Sequence, residues 1–296
     1  MRVFMTGATG FIGSIVVDEL QAAGHQVTGL ARSDAAAQAL AERGVEPRRG
    51  DVADPEGLAE GARASDGVIH CAFGHDFSRY VEMGDVDLRA VSAMAQALAG
   101  TGKPLVVTSG LTARTPGRLS TEADAAETEG LLAVRGRPEA AALAASRTNV
   151  RSVVVRLPPS VHDVQGQGLV SPLIAIARQT GVSAYVGDGA NRWPAVHRRD
   201  AARLFRFALE HGQPGQRLHA VAEEGVASRS IAEAIGERLG LPVRSLGPDE
   251  AAGHFGWFAA VASNDIPASS ALTRQTMGWR PAGPGLLDGL RGDYLS

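Results

Sequence analysis

The stretch Thr6-Gly7-Ala8-Thr9-Gly10-Phe11-Ile12-Gly13 decides the reading of this chain. It follows a short apolar run at residues 2–5 and opens onto a segment with helical spacing at 15–23. In a strand–loop–helix setting each glycine has its own task. Gly7 permits a tight turn, Gly10 lets backbone approach a pyrophosphate, and Gly13 allows close packing of helix on strand. The helix start offers free N–H groups and the positive end of its dipole to phosphate. The stretch from Gly7 to Gly13 thus predicts a dinucleotide site.

Further β-rich runs follow at 26–30, 67–71, 105–108 and 152–156, with Ala- and Leu-rich helical stretches at 35–43 and 91–99. This alternation predicts the α/β class: a Rossmann, doubly wound parallel sheet that binds ligands at the carboxyl ends of its strands. After Arg156, frequent Pro and Gly break the chain into shorter pieces, and a helix over 199–211 returns to the first lobe. The expected organisation is a nucleotide-binding lobe over 1–160, rejoined by 197–215, with a smaller carboxyl-terminal substrate lobe from 161–196 and 216–296.

The strand ends refine the site. The second strand runs into Ala31-Arg32-Ser33, where NAD enzymes usually place a carboxylate for the ribose. Arg32 can pair with a 2′-phosphate and Ser33 can add a hydroxyl donor, so the cofactor is read as NADP(H). Asp34 lies past the strand and is expected to cap the following helix. Asp51 in Gly50-Asp51-Val52 can accept the adenine amino group, with Val52 presenting backbone; a plain turn explains the same letters. Ala72-Phe73-Gly74 is expected to pass beneath the cofactor.

Composition bounds the rest. The chain of 296 residues is long enough for a substantial core, and a net charge of −3 argues against a general nucleic-acid or acidic-membrane binder. Cys71 is the only cysteine, which excludes an internal disulfide and a Cys-rich zinc site, and no metal-ligand spacing stands out. No apolar run approaches the ~20 residues of a membrane helix. A strand begins almost at residue 1, so no signal peptide is expected. These features predict a cytoplasmic protein with a small-molecule partner, no metal, no membrane and no nucleic acid. Its oligomeric state is not readable.

The strand ends together resemble the short-chain dehydrogenase/reductase superfamily, in its extended and atypical branches. Arg156-Leu157-Pro158-Pro159-Ser160-Val161 resembles the segment passing the nicotinamide. Gly187-Asp188-Gly189, Pro194-Ala195-Val196-His197 and Met277-Gly278-Trp279-Arg280-Pro281 resemble later signatures of the extended branch. The resemblance implies cofactor contacts from Leu157, Pro158, Pro159, Ser160 and Thr108. It also implies a Tyr-x-x-x-Lys pair, which this chain lacks. Gly84 follows Tyr80 by four residues, Gly189 follows Tyr185, Tyr294 is too near the end, and Ala99 precedes the only lysine, Lys103. By the resemblance, Arg135 and Glu139 occupy the pair's positions; Arg135, if buried near the carbonyl, could stabilise negative charge although it is a poor proton donor, and otherwise the two are expected to bond each other on one helix.

Without the tyrosine, another group must quench the alkoxide, a contribution of ~10²–10⁴ in rate. Ser109 is one candidate donor; it would otherwise bond its own backbone. His75, oriented by Asp76, is another, although a polar loop accounts for the same residues. A phenol beside the ketone could also supply the proton. Trp193, Phe255, Trp257 and Phe258 would suit a flat polycyclic ligand. The chain resembles tyrosine-less ketoreductases of aromatic polyketides, including the simocyclinone-type angucyclinone ketoreductases, which implies NADPH-dependent reduction in antibiotic biosynthesis. The alternative is a non-catalytic NADP-binding regulator resembling the NmrA-like proteins.

Overall fold

The computed structural model describes residues 1–74, 79–112, 117–166 and 168–295. Its main sheet is parallel throughout. The strands are β1 (Arg2–Thr6), β2 (Gln26–Ala31), β3 (Glu46–Arg49), β4 (Gly67–His70), β5 (Pro104–Gly110), β6 (Arg151–Leu157) and, much later, β10 (Gln216–His219). Their order is β10-β6-β5-β4-β1-β2-β3, so the winding reverses between β1 and β4, directly beside the glycine-rich turn.

Alternation in the central strands explains why the sheet is covered on both faces. Val3 and Met5 of β1, Val106 of β5 and Val153 and Val155 of β6 enter one core. Val16, Val17 and Leu20 of α1 (Gly13–Ala22) and Leu204, Phe205 and Leu209 of α7 (Arg198–His211) pack into the same core. Phe4, Leu105, Val107 and Val154 point the other way, onto α3 (Pro55–Arg63), α4 (Tyr80–Ala97) and α5 (Ala133–Ala144). The remaining helix of this lobe is α2 (Asp34–Glu42).

The second lobe has its own core. It contains β7 (Ser160–His162), β9 (Arg192–His197) and β11 (Glu223–Ala227) in one small sheet, and β8 (Ser183–Val186) with β12 (Val243–Leu246) in another. Helices α6 (Val170–Thr180), α8 (Ser228–Leu239) and α9 (Pro248–Phe255) pack on them. The return to the main sheet runs beyond 215: Gln216–His219 pairs with β6 as the seventh strand. Among the described residues no helix is long and apolar enough to cross a membrane.

Candidate functional site

The turn after β1 is shaped by contact as much as by conformation. Gly7 has φ +69°, and a Cβ there would lie 2.6 Å from Ala72 N at the end of β4. A Cβ on Gly13 would lie 2.0 Å from Gly7 O, so the first turn of α1 sits directly on the loop. Among the described residues no side chain caps α1, and the first turn closes on the loop itself: Ser14 N donates to Gly10 O at 2.9 Å and Ile15 N to Ile12 O at 3.1 Å. Ala8 is buried while Thr9 and Gly10 are exposed at the turn. Arg198 braces the far side: Nη1 donates to Phe11 O at 2.9 Å, and the guanidinium lies 4.5 Å from the Phe11 ring centroid. Its Nε also meets Asp163 at 2.6 Å, tying the loop to the second lobe. Ile12 is half-buried beside it.

Beyond the ends of β2 and β3 lies an open cleft of about 650 Å³, lined by Arg32, Ser33, Arg49 and Asp51 among others. The helix cap there is Ser33, whose Oγ accepts from Ala36 N at 3.2 Å; Asp34, the expected cap, pairs with Arg49 instead. Serine precedes the first helical residue, where its hydroxyl reaches the third, whereas Asp34 is already inside the helix. Asp51 Oδ1 accepts from Ala53 N at 2.9 Å, which forms the turn and leaves the other oxygen uncommitted by that bond. Val52 packs half-buried against the core beneath. Arg49 was not singled out from the sequence. It faces Ala31 in the β2–β3 register and so stands beside Arg32 across the cleft. These features fit a dinucleotide: a turn with no room for a side chain, a helix start that no side chain covers, and two arginines on the neighbouring cleft.

At the opposite end Ala72 N donates to Thr6 Oγ1 at 3.3 Å, and Thr108 Oγ1 donates to His70 O at 2.8 Å. Ser109 is 2% exposed, with its hydroxyl 3.4 Å from Arg135 O and 3.5 Å from Gly110 O, so it faces backbone carbonyls and not an open cleft. Leu157, the last residue of β6, and Pro159 beyond it are half-buried, while Pro158 and Ser160 are buried. The Ser160 hydroxyl has no hydrogen-bond partner among the described residues. His75 and Asp76 lie outside the described residues.

Arg135 and Glu139 do not bond each other. Arg135 Nη1 donates to Asp87 Oδ2 and Nη2 to Thr108 O, each at 2.8 Å. The other Asp87 oxygen accepts from His70 Nε2 at 2.8 Å, which leaves His70 Nδ1 to accept from Thr6 Oγ1 at 2.7 Å. A buried chain therefore links the glycine-rich turn to α5. Glu139 turns toward β6, where Arg156 Nε donates to its Oε2 at 3.0 Å. Residues four apart share a helix face, but each of these two finds a nearer partner of opposite charge on a neighbouring element. Arg156 Nη1 also reaches His219 Nε2 at 3.2 Å, while His219 Nδ1 donates to Ser269 O at 2.8 Å. Burial, with the Arg156 cation adding to it, pushes His219 down to about 4.

The expected aromatic floor is absent. Trp193, Phe255 and Phe258 are core residues of the second lobe, and the cavity bordered by Trp193 and Phe255 holds about 10 Å³, room for one water at most. Trp193 Nε1 donates to Asn264 O at 3.1 Å, and its ring meets Phe258 edge-on. Trp257 alone of the four is exposed, on the surface of that lobe. A buried indole that satisfies its N–H locally looks, in sequence, the same as one lining a pocket.

Residues 7–149 match the family described as NAD(P)H-binding. An uncharacterized protein of Saccharomyces cerevisiae is 43% identical over 298 residues, covering 99% of both chains. A 2-alkyl-3-oxoalkanoate reductase of Stenotrophomonas maltophilia is 30% identical over 227 residues, covering 73% of this chain and 67% of that protein. In fold, the chain is similar to a dTDP-glucose 4,6-dehydratase from Streptomyces venezuelae with NAD bound: TM-score 0.78, 20% identity, covering 100% of this chain and 96% of that one. The glycine-rich turn, the parallel seven-stranded sheet and this full-length likeness agree: the chain belongs to the NAD(P)H-binding family of oxidoreductases, on a short-chain dehydrogenase/reductase-like fold.

Proposed function

We propose that the protein is an NADPH-dependent carbonyl reductase acting on a small ketone. The observation that carries this reading is the continuous arrangement at the carboxyl edge of the sheet. It runs from the arginine-lined cleft, past the glycine-rich turn, to the edge formed by Phe73, Thr108 and Arg135. Similarity to a 2-alkyl-3-oxoalkanoate reductase supports a ketone as substrate. When bound, the nicotinamide supplies the hydride. The chain's own part is to hold phosphate at the start of α1, position the ring end against β4–β6, and answer the charge that develops on the carbonyl oxygen. The polycyclic, polyketide-like substrate drawn from the aromatic residues loses that support, since three of the four are core.

Arg32 and Arg49 support NADPH over NADH, because each can bring a charged donor to a 2′-phosphate. Arg49 is already paired with the Asp34 carboxylate, so Arg32 carries the larger part. Arg32→Ala is expected to weaken NADPH about tenfold to a hundredfold, the scale of one charged hydrogen bond, and to leave NADH nearly unchanged. Fluorescence titration with each cofactor measures this. Equal losses for both would remove the phosphate contact from Arg32.

The regulator reading is favoured by one observation. The positions of the usual tyrosine and lysine carry Arg135 and Glu139, both engaged in ion pairs. Carbinol formation from NADPH and a panel of ketones, headed by ethyl acetoacetate, decides between the two readings. Turnover supports the reductase, and NADPH binding with no product supports the regulator.

A further inference from the structure

The proposed reduction needs an acid, and α5 no longer provides a tyrosine. A different tyrosine stands at the same edge of the sheet. Tyr80 is the first residue of α4, reached by the loop that leaves β4, and its half-buried ring meets Phe73 edge-on with centroids 5.9 Å apart. Arg135 reaches the same Phe73 ring from α5, its guanidinium carbon 4.1 Å from the centroid. One aromatic ring is thus shared by a phenol and a cation. Gly84 permits the approach: a Cβ there would lie 2.7 Å from Val134 Cγ1, so α4 and α5 touch at the residue preceding Arg135. Asp87 and Thr108 O then fix the guanidinium, whose side chain is 11% exposed.

We propose that Tyr80 is the proton donor of this site and Arg135 its positioning cation, a pair assembled from two helices where most of the superfamily uses one. The inference rests on the carbonyl-reductase reading. The carbonyl carbon receives hydride from NADPH, the C=O π pair moves onto oxygen, and that oxygen takes the proton from Tyr80 Oη. The tyrosinate left behind is balanced by the Arg135 charge until solvent returns a proton. Among the described residues, the charged groups around Tyr80 are Arg135 from α5, Asp87 from α4 and the exposed Arg79–Glu82 pair beside it. Burial pushes the phenol up, Arg135 pulls it down, and Asp87 adds to the rise.

Two readouts test the pair, and only one needs turnover. The chain has three tyrosines, so the tyrosinate absorbance titration of wild type minus that of Tyr80→Phe isolates Tyr80. Arg135→Met is expected to move that titration upward by about one pH unit. Asp87→Asn, which keeps hydrogen-bonding atoms for His70 and Arg135, is expected to move it downward. In turnover of ethyl acetoacetate, Tyr80→Phe should lose about 10²–10⁴ in kcat with NADPH affinity unchanged. Arg135→Lys should retain more kcat than Arg135→Met.

Wild-type turnover in Tyr80→Phe overturns the pair and leaves the reductase reading standing. A Tyr80 titration that stays in place in both charge variants also overturns it. A wild-type protein that binds NADPH but reduces no ketone overturns the reductase reading and the acid role with it, an outcome recognised from the wild-type assay alone.

Discussion

Arg156→Met is expected to cost the fold about 3–5 kcal/mol, the range for removing one partner of a buried ion pair. Neither Arg156 nor Glu139 is more than 1% exposed. Glu139 receives Arg156 through both oxygens, and Arg217 adds a longer bond of 3.3 Å from the edge strand. Removing the guanidinium leaves the Glu139 carboxylate in the interior with, among the described residues, only Arg217 as cation. It also strips His219 Nε2 of its donor, although His219 remains tied to Ser269 O and to Thr273 Oγ1 through its backbone N–H. Because β6, β10 and α5 all meet at this cluster, the loss should appear as global unfolding. Urea denaturation measures it as a lowered midpoint with little change in slope. The double variant Arg156→Met with Glu139→Leu should recover much of the loss, since a buried pair exchanged for apolar groups is often neutral. A single-variant loss under about 1 kcal/mol would show that Arg217 alone satisfies the carboxylate.

Gly13→Ala reverses what helix propensity alone would say. Alanine in place of glycine inside a helix ordinarily gains up to about 1 kcal/mol. Here the new methyl would stand 2.0 Å from Gly7 O and 3.3 Å from Ala8 Cα, both backbone atoms that cannot rotate away. Either α1 moves off the sheet or the glycine-rich turn deforms. The first disturbs the packing of Val16, Val17 and Leu20 in a core shared with α7. The second misplaces the N–H groups that would meet the pyrophosphate. The expected result is destabilisation of about 1–3 kcal/mol, the usual cost of overpacking, together with loss of NADPH affinity of at least tenfold. Thermal unfolding and cofactor titration on the same sample read the two parts. An unchanged melting temperature with normal binding would mean that the loop relaxes at no cost, contrary to the close contact on which the cofactor assignment depends.

How much the sequence disclosed depended on how local the information was. The glycine spacing, the place of Arg32 after β2 and the ends of the first strands were legible because turn geometry and side-chain alternation repeat over a few residues. Arg49 escaped because its role comes from register: only the pairing of β2 with β3 brings it beside Arg32. Gln216–His219 was assigned to the second lobe because a short edge strand with one strongly apolar residue, Leu218, has no periodicity to read. Arg135 and Glu139 were expected to pair because four residues separate them on one helix. Tertiary contacts supplied Asp87 and Arg156, and their buried carboxylate and guanidinium outcompete an intrahelical bond worth a few tenths of a kcal/mol. In the sequence Tyr80 has no lysine four residues on, and the cation that reaches its surroundings, Arg135, comes from another helix.

The most direct test of hydride transfer is incubation of the purified protein with 4-deuterated NADPH and the ketone panel, including a polycyclic ketone bearing an adjacent phenol, with products read by mass. Mass detection avoids counting cofactor lost to redox cycling with quinones. The account predicts deuterium on a new carbinol carbon. Tight NADPH binding with no deuterated product from any ketone would contradict it and leave a dinucleotide-binding regulator in its place.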